Sequence, residues 1–334
     1  MKNEISSVLK VNNNETLEKD IGLLINQADI IIESTVKKIN FEIILMYWQL
    51  GKIIYNYKKE NNSKYGDAVV KLFSEKLSFK YGRGFGFTNI KSCLNFYNIF
   101  QKSPMSDFFE NVTWSHCREI IHLGNSEIIL FYLKDINDKK LTVDQLRRNL
   151  KSKSFERTIS NQRKGKAKNE IEKKLKDPII LNIDNKKRSE KELEEEIFKN
   201  VFSFMEEIGN SVMLYGRQYK ININGLTHKA DLVFFDNEIN SYILVDLKIN
   251  KVTNKDIFQM QMYINYFNKY MKKDKFNNTV GIILCETKDA RVENNVDIYQ
   301  IKYLSEIPKD EELLKIINEN KIILLKTENI KLDK

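Results

Sequence analysis

The chain has 334 residues, 42% hydrophobic and 30% charged, which suits two domains that each bury a core of their own. A formal net charge of +9, from 55 Lys plus Arg against 46 Asp plus Glu, favours a polyanionic partner, although a Lys- and Asn-rich composition has other origins as well. Cys93, Cys117 and Cys285 are odd in number and set among apolar neighbours, without zinc-ligand or disulfide spacing, so a cytoplasmic location is expected. No signal-like apolar segment opens the chain and no run of about 18 apolar residues occurs, so no membrane partner is expected.

From about Glu15 to Lys59 apolar residues recur at helical spacing, first as Ile21, Leu24, Ile25, Ala28 and Ile31, then from Ile39 to Tyr57. A turn at Asn61-Asn62 leads through Tyr65-Gly66 into a helix that Gly82 is suited to end. After the loop Arg83-Gly84-Phe85-Gly86-Phe87, Thr88 is the expected N-cap of the next helix. Further helices are expected at Thr113 to Glu119, Ser126 to Leu133 and Val143 to Leu150. Strand signals are nearly absent before residue 150, so residues 1–160 read as an all-helical domain for DNA binding or assembly. Residues 161–187 read as a basic linker, since residues 151 to 177 carry ten Lys or Arg against four Asp or Glu.

Residues 188–334 read as a small α/β domain around a central mixed sheet. Ser189 caps one long helix that ends at Gly209. Strands Val212 to Ile223 and Lys229 to Phe235 flank Asn224-Gly225, a strong hairpin-turn signal. A turn from Asp236 to Asn240 returns the chain into a third strand. A helix from Lys255 to Met271, strands Thr279 to Cys285 and Val296 to Tyr303, and a last helix from Asp310 to Asn320 complete the order.

The third strand holds the chemistry. Tyr242 to Ile249 is apolar except at Asp246 and Lys248, which stand one residue apart and so project from the same face. Burying a carboxylate and an ammonium there costs several kcal/mol unless a partner or a metal compensates. Phosphodiester hydrolysis needs a divalent cation, and Mg²⁺ (or Mn²⁺) needs only one or two protein carboxylates plus water and substrate oxygens. Asp231 and Asp246 can supply them from adjacent strands, with Glu194 of the preceding helix as a third. Lys248 can orient the attacking water or stabilise the transition state. Gln259 and Tyr263 lie four apart on a helix and share a face. Tyr263, Arg217, Gln218 and Arg83 are the candidates for contacting nucleic acid. The plainer readings are a same-face ion pair for Asp246 and Lys248, a solvated amide for Gln259 and a core ring for Tyr263. Ser115-His116 does not read as a nucleophile and its base, because helix neighbours do not face each other. The Arg83 loop lacks the Lys-Ser/Thr of a P-loop.

The set Asp231, Asp246-Leu247-Lys248 and Gln259-x-x-x-Tyr263 resembles the PD-(D/E)XK nuclease superfamily, its helix element looking like that of the RecB-like branch. More narrowly, residues 40 to 160 and 188 to 305 resemble YhcG-like proteins. The first half rests on Tyr47-Trp48-Gln49-Leu50-Gly51, Phe79-Lys80-Tyr81-Gly82-Arg83-Gly84-Phe85 and Thr113-Trp114-Ser115-His116. The second rests on Tyr215-Gly216-Arg217-Gln218-Tyr219, Ala230-Asp231-Leu232, Val245-Asp246-Leu247-Lys248 and Gln259-Met260. Ala230 stands where a proline often precedes the first aspartate, and Asp246 is one methylene shorter than a glutamate. The resemblance implies a restriction-endonuclease-like fold, bacterial origin, and Mg²⁺-dependent endonucleolytic cleavage of DNA. The rival readings are a non-catalytic nucleic-acid-binding subunit on a retired nuclease fold, and a homo-oligomeric assembly module.

Overall fold

In the computed structural model, the described residues are 2–61, 66–102, 109–160, 170–184, 186, 189–209, 211–288 and 297–319. The chain divides into two compact units between Arg147 and Arg148. Of the basic stretch expected as a linker, residues 161–169, which include Arg163 to Lys168, lie outside the described residues.

Among the described residues the first unit is all helical. Its helices are α1 (Lys2–Glu60), α2 (Gly66–Tyr81), α3 (Phe87–Phe100), α4 (Trp114–Ile120) and α5 (Ser126–Lys139). A sixth, α6 (Val143–Lys151), runs across the division. The two helical patterns expected between residues 15 and 59 are one continuous helix, since neither Gly nor Pro interrupts the chain between Leu23 and Leu50. Where α1 meets α3, a Cβ on Gly51 would lie 2.1 Å from the Cys93 carbonyl oxygen, so only glycine permits this approach. Gly82, at φ +94°, ends α2 as expected. The N-cap of α3 is Gly86, not Thr88, because a short 3₁₀ turn at Arg83–Phe85 brings the chain into helix two residues sooner. His116 receives the Thr113 amide on Nδ1 at 3.1 Å and completes a capping box, a structural role that leaves no base for Ser115. Trp114 is buried, stacks on Tyr47 and donates Nε1 to Asn89 at 2.7 Å.

The second unit is a six-stranded mixed sheet between helical layers. After α7 (Ser154–Ser160) come β1 (Ile179–Ile180), α8 (Glu190–Lys199), α9 (Val201–Ile208), β2 (Val212–Ile223), β3 (Leu226–Asp236) and β4 (Ser241–Lys248). Then follow α10 (Asn254–Tyr270), β5 (Val280–Cys285), β6 (Ile298–Leu304) and a helix over residues 310–319, here α11. Strand order is β1-β6-β5-β4-β3-β2, with β2, β3 and β4 antiparallel and the remaining pairings parallel. Odd-numbered β4 residues Ile243, Val245 and Leu247 pack with Leu193 and Ile197 of α8 and Phe204 and Ile208 of α9. Even-numbered Tyr242 and Leu244 pack with Met260, Tyr263 and Phe267 of α10. Gly281 lets α10 lie close, since a Cβ there would meet Met260 at 2.4 Å.

Two expectations change. The single helix from Ser189 to Gly209 is broken at Asn200 (φ −110°, ψ 30°), whose side chain donates to the Glu196 carbonyl and competes with helix continuation. The sheet also takes in part of the expected linker. Ile171, Leu175, Ile179, Leu181 and Ile183 are buried in its core, and β1 pairs with β6.

An ion network anchors α7 to this unit. The Arg157 side chain is wholly buried and bonds Glu207, the Ser152 and Pro178 carbonyls and the Ser152 hydroxyl. Glu207 also meets Lys176 at 3.2 Å and the Ile180 amide at 3.0 Å. Burial works to raise the Glu207 pKa, but Lys176 and Arg157 outweigh it and hold the carboxyl below its ordinary value. Its stabilisation is therefore full above the unfolded value of about 4.3 and is lost as pH falls below that. Glu207→Gln should destabilise the second unit in urea by about 3–5 kcal/mol near neutral pH, because it strands a buried guanidinium. The difference from wild type should shrink below about pH 4; a constant difference would contradict the account.

Candidate nuclease site

The strand β4 carries Asp246 and Lys248 to the end of the sheet face that α10 covers, and β3 sets Asp231 beside them. Asp246 is 4% exposed. Its Oδ2 lies 2.6 Å from Lys248 Nζ, yet it has no well-directed hydrogen bond. Burial pushes the Asp246 carboxyl up to about 6, against the pull of Lys248 and with the help of Asp231. Burial likewise raises the pKa of Asp231, against the Leu247 amide that donates to its Oδ2 at 2.9 Å. For Lys248, burial acts to lower the pKa, but the neighbouring Asp246 carboxylate prevails and raises it.

The edge strand β2 completes the wall by breaking strand alternation. Adjacent strand residues ordinarily point to opposite faces, but Gln218 is left-handed (φ +48°) and a register shift lies between Leu214 and Gly216. Arg217 and Gln218 consequently both reach Glu194 of α8, Arg217 Nε donating to Oε1 at 2.5 Å and Gln218 Nε2 to Oε2 at 2.6 Å. Gln218 also donates to Asp231 Oδ1 at 3.1 Å, linking the two carboxylates. Arg217 stacks on Phe198, 4.7 Å from ring centroid to guanidinium carbon.

On α10, Gln259 faces the same cleft and donates to the Tyr263 hydroxyl at 2.9 Å. That hydroxyl in turn donates to the Lys229 carbonyl at 3.1 Å. Tyr263 is only 2% exposed, so its phenol holds Gln259 and β3 in place and has no surface to offer nucleic acid. Arg83 is exposed and belongs to the helical unit.

These side chains line one open cleft of about 560 Å³, made by Glu190, Lys191, Glu194, Arg217, Gln218, Lys229, Asp231, Asp246, Lys248 and Gln259. Glu190 was not singled out from the sequence. It stands 3.9 Å from Lys248 and one helical turn before Glu194, a spacing that puts both on one face of α8. Among the described residues no three His, Cys, Asp or Glu side chains are gathered closely enough to ligate one ion. The fit to a hard divalent cation rests on two carboxylates: Asp246, with its buried and poorly satisfied Oδ2, and neighbouring Asp231. Two suffice for Mg²⁺, which retains water and takes substrate oxygens.

Because the folded-state pKa of Asp246 lies above the unfolded value of about 3.9, folding favours its protonated form. The resulting contribution is full below about pH 4 and is lost as pH rises through about 6. In EDTA, urea denaturation should show Asp246→Asn losing less stability than wild type between these pH values, by on the order of 2 kcal/mol. Parallel losses in the two proteins would show that Asp246 is not held in this environment.

Two family models match the chain: the DUF1016 N-terminal domain over residues 21–157 and the YhcG PDDEXK nuclease domain over residues 172–307. The chain is 26% identical over 310 residues to YhcG of Escherichia coli (strain K12), covering 80% of this chain and 83% of that protein. A repair endonuclease from Pyrococcus abyssi aligns with 37% of this chain and 50% of its own, at 18% identity and a TM-score of 0.26. A complex of EndoMS with double-stranded DNA aligns with 38% of this chain and 49% of that one, at 17% identity and a TM-score of 0.24. Among the described residues no helix is long and apolar enough to cross a membrane. With the mixed sheet, the cleft at its end and both family models in agreement, the chain belongs to the YhcG-like family, a helical DUF1016 domain followed by a PD-(D/E)XK nuclease domain.

Proposed function

We propose that this protein is a divalent-metal-dependent endonuclease that hydrolyses DNA phosphodiester bonds. The observation that carries the reading is the buried Asp246 carboxylate, imperfectly satisfied beside Lys248 and opening on a cleft shared with Asp231 and Gln259. A purely structural ion pair on a sheet would gain nothing from an open polar cleft or from a carboxylate oxygen left without a directed donor.

Asp231 and Asp246 would hold Mg²⁺ or Mn²⁺, which when bound neutralises charge on the scissile phosphate and acidifies a water. Lys248 orients that water and sets positive charge beside the phosphate as negative charge builds on it. Gln259, fixed by Tyr263, positions the reacting groups from the helix side. Glu194 is clamped by Arg217 and Gln218, so it acts by fixing the Gln218 amide on Asp231; Arg217 lines the cleft and, being partly exposed, can meet a phosphate there. The helical unit contributes binding through exposed Arg83, which follows Lys80 and Tyr81 in sequence. Three buried, unpaired cysteines suit action in the cytoplasm.

Asp246→Asn and Lys248→Met should each lower DNA cleavage in Mg²⁺ by at least about a hundredfold. Circular dichroism and DNA retention in a filter assay should stay near wild type. Cleavage at the wild-type rate by both variants would sink the proposal. Arg83→Ala should weaken DNA binding while reducing the slope of log K against log salt by about one; an unchanged slope would remove Arg83 from the interface.

A further inference from the structure

Helix α1 carries two apolar stripes, and its own domain uses one of them. Ile44 and Ile54 are buried, and Gly51 on the same side admits α3. The second stripe is exposed. Ile25, Ile32, Ile39, Met46 and Ile53 recur every seven residues, and Val36, Ile43 and Tyr57 follow three of them by four. All eight are between 37% and 59% exposed. Apolar residues alternating at three and four positions over more than four heptads form the seam of a coiled coil, whose 3.5-residue period keeps it facing a partner helix.

We propose that this seam pairs with the α1 seam of a second copy of the chain, in antiparallel orientation. Three observations favour a second copy as occupant. The seam runs from residue 25 to residue 57, about 48 Å of helix at 1.5 Å per residue, a length that matches another copy of itself. The exposed parts of its side chains come to roughly 700 Å² per copy, close to the ~800 Å² per partner of a stable protein interface. Its one charged position, Asp29, lies in the same three-and-four register. Parallel pairing sets Asp29 against its own copy, two like charges face to face, whereas antiparallel pairing about the seam's midpoint sets it opposite Ile53 of the second copy and keeps the two carboxylates apart. A two-fold axis makes such a contact self-complementary and closed.

Sedimentation equilibrium on the full chain at about 10 µM tests this. Wild type should weigh twice the monomer, and Ile32→Glu with Ile39→Glu should weigh one, with an unchanged helical circular-dichroism signal. Ile30→Glu is the control: Ile30 is 70% exposed but lies off the seam, and this variant should remain a dimer. A monomeric wild type, a double variant that stays dimeric, or equal disruption by Ile30→Glu would overturn the proposal. Orientation is read by oxidation of Ile25→Cys and Tyr57→Cys proteins. The native cysteines are all buried, so the mixture should cross-link between the two variants. Cross-linking of each variant only with itself would refute the antiparallel arrangement.

Discussion

The constraint on which the nuclease unit turns is the presence of a carboxylate and an ammonium at the end of an otherwise apolar, buried strand. Removing such charges from water costs several kcal/mol each, and a 2.6 Å contact between Asp246 and Lys248 returns part of that. The rest of the site is arranged around them. The Leu247 amide fixes Asp231 from one side, Gln218 fixes it from another, and Arg217 secures the glutamate that holds Gln218. The packing behind it is apolar and close, down to a glycine at 281 that admits α10 and the Gln259 it carries.

That arrangement separates the groups that face the cleft from the groups that set their geometry. Asp231, Asp246, Lys248 and Gln259 line it. Tyr263 lies behind, closing a chain of hydrogen bonds from the Gln259 amide to the β3 backbone. Outside the cleft lining, the Arg157–Glu207–Lys176 network ties α7 and the segment before β1 to α9. The sheet extends to residues that composition alone places in a connector because this network and the burial of Ile179, Leu181 and Ile183 bind them to it.

Much of this was legible in the sequence because it depends on period and spacing. The apolar run with two charges on one face marked β4, Asn224-Gly225 marked the hairpin, and a four-residue interval joined Gln259 to Tyr263. What escaped depends on backbone conformation or on residues distant in sequence. Nothing local announces that Gln218 adopts a left-handed φ and so joins Arg217 on Glu194. Glu190 was one acid among several in a helix whose first turn favours acids for other reasons. Arg157 and Glu207 are fifty residues apart and meet only in the folded unit. β1, at two residues, is too short for any periodicity to register. The long helix α1 was legible as apolar, but its division into an inward stripe and an exposed seam needed the packing of α3 to be visible.

The claim that Asp231 and Asp246 serve a cation is tested most directly by calorimetric titration of the full chain with Mn²⁺, in wild type and in Asp231→Asn and Asp246→Asn. The account predicts a binding isotherm for wild type that is lost in both variants while their circular-dichroism spectra are unchanged. Equal Mn²⁺ binding by all three proteins would contradict it.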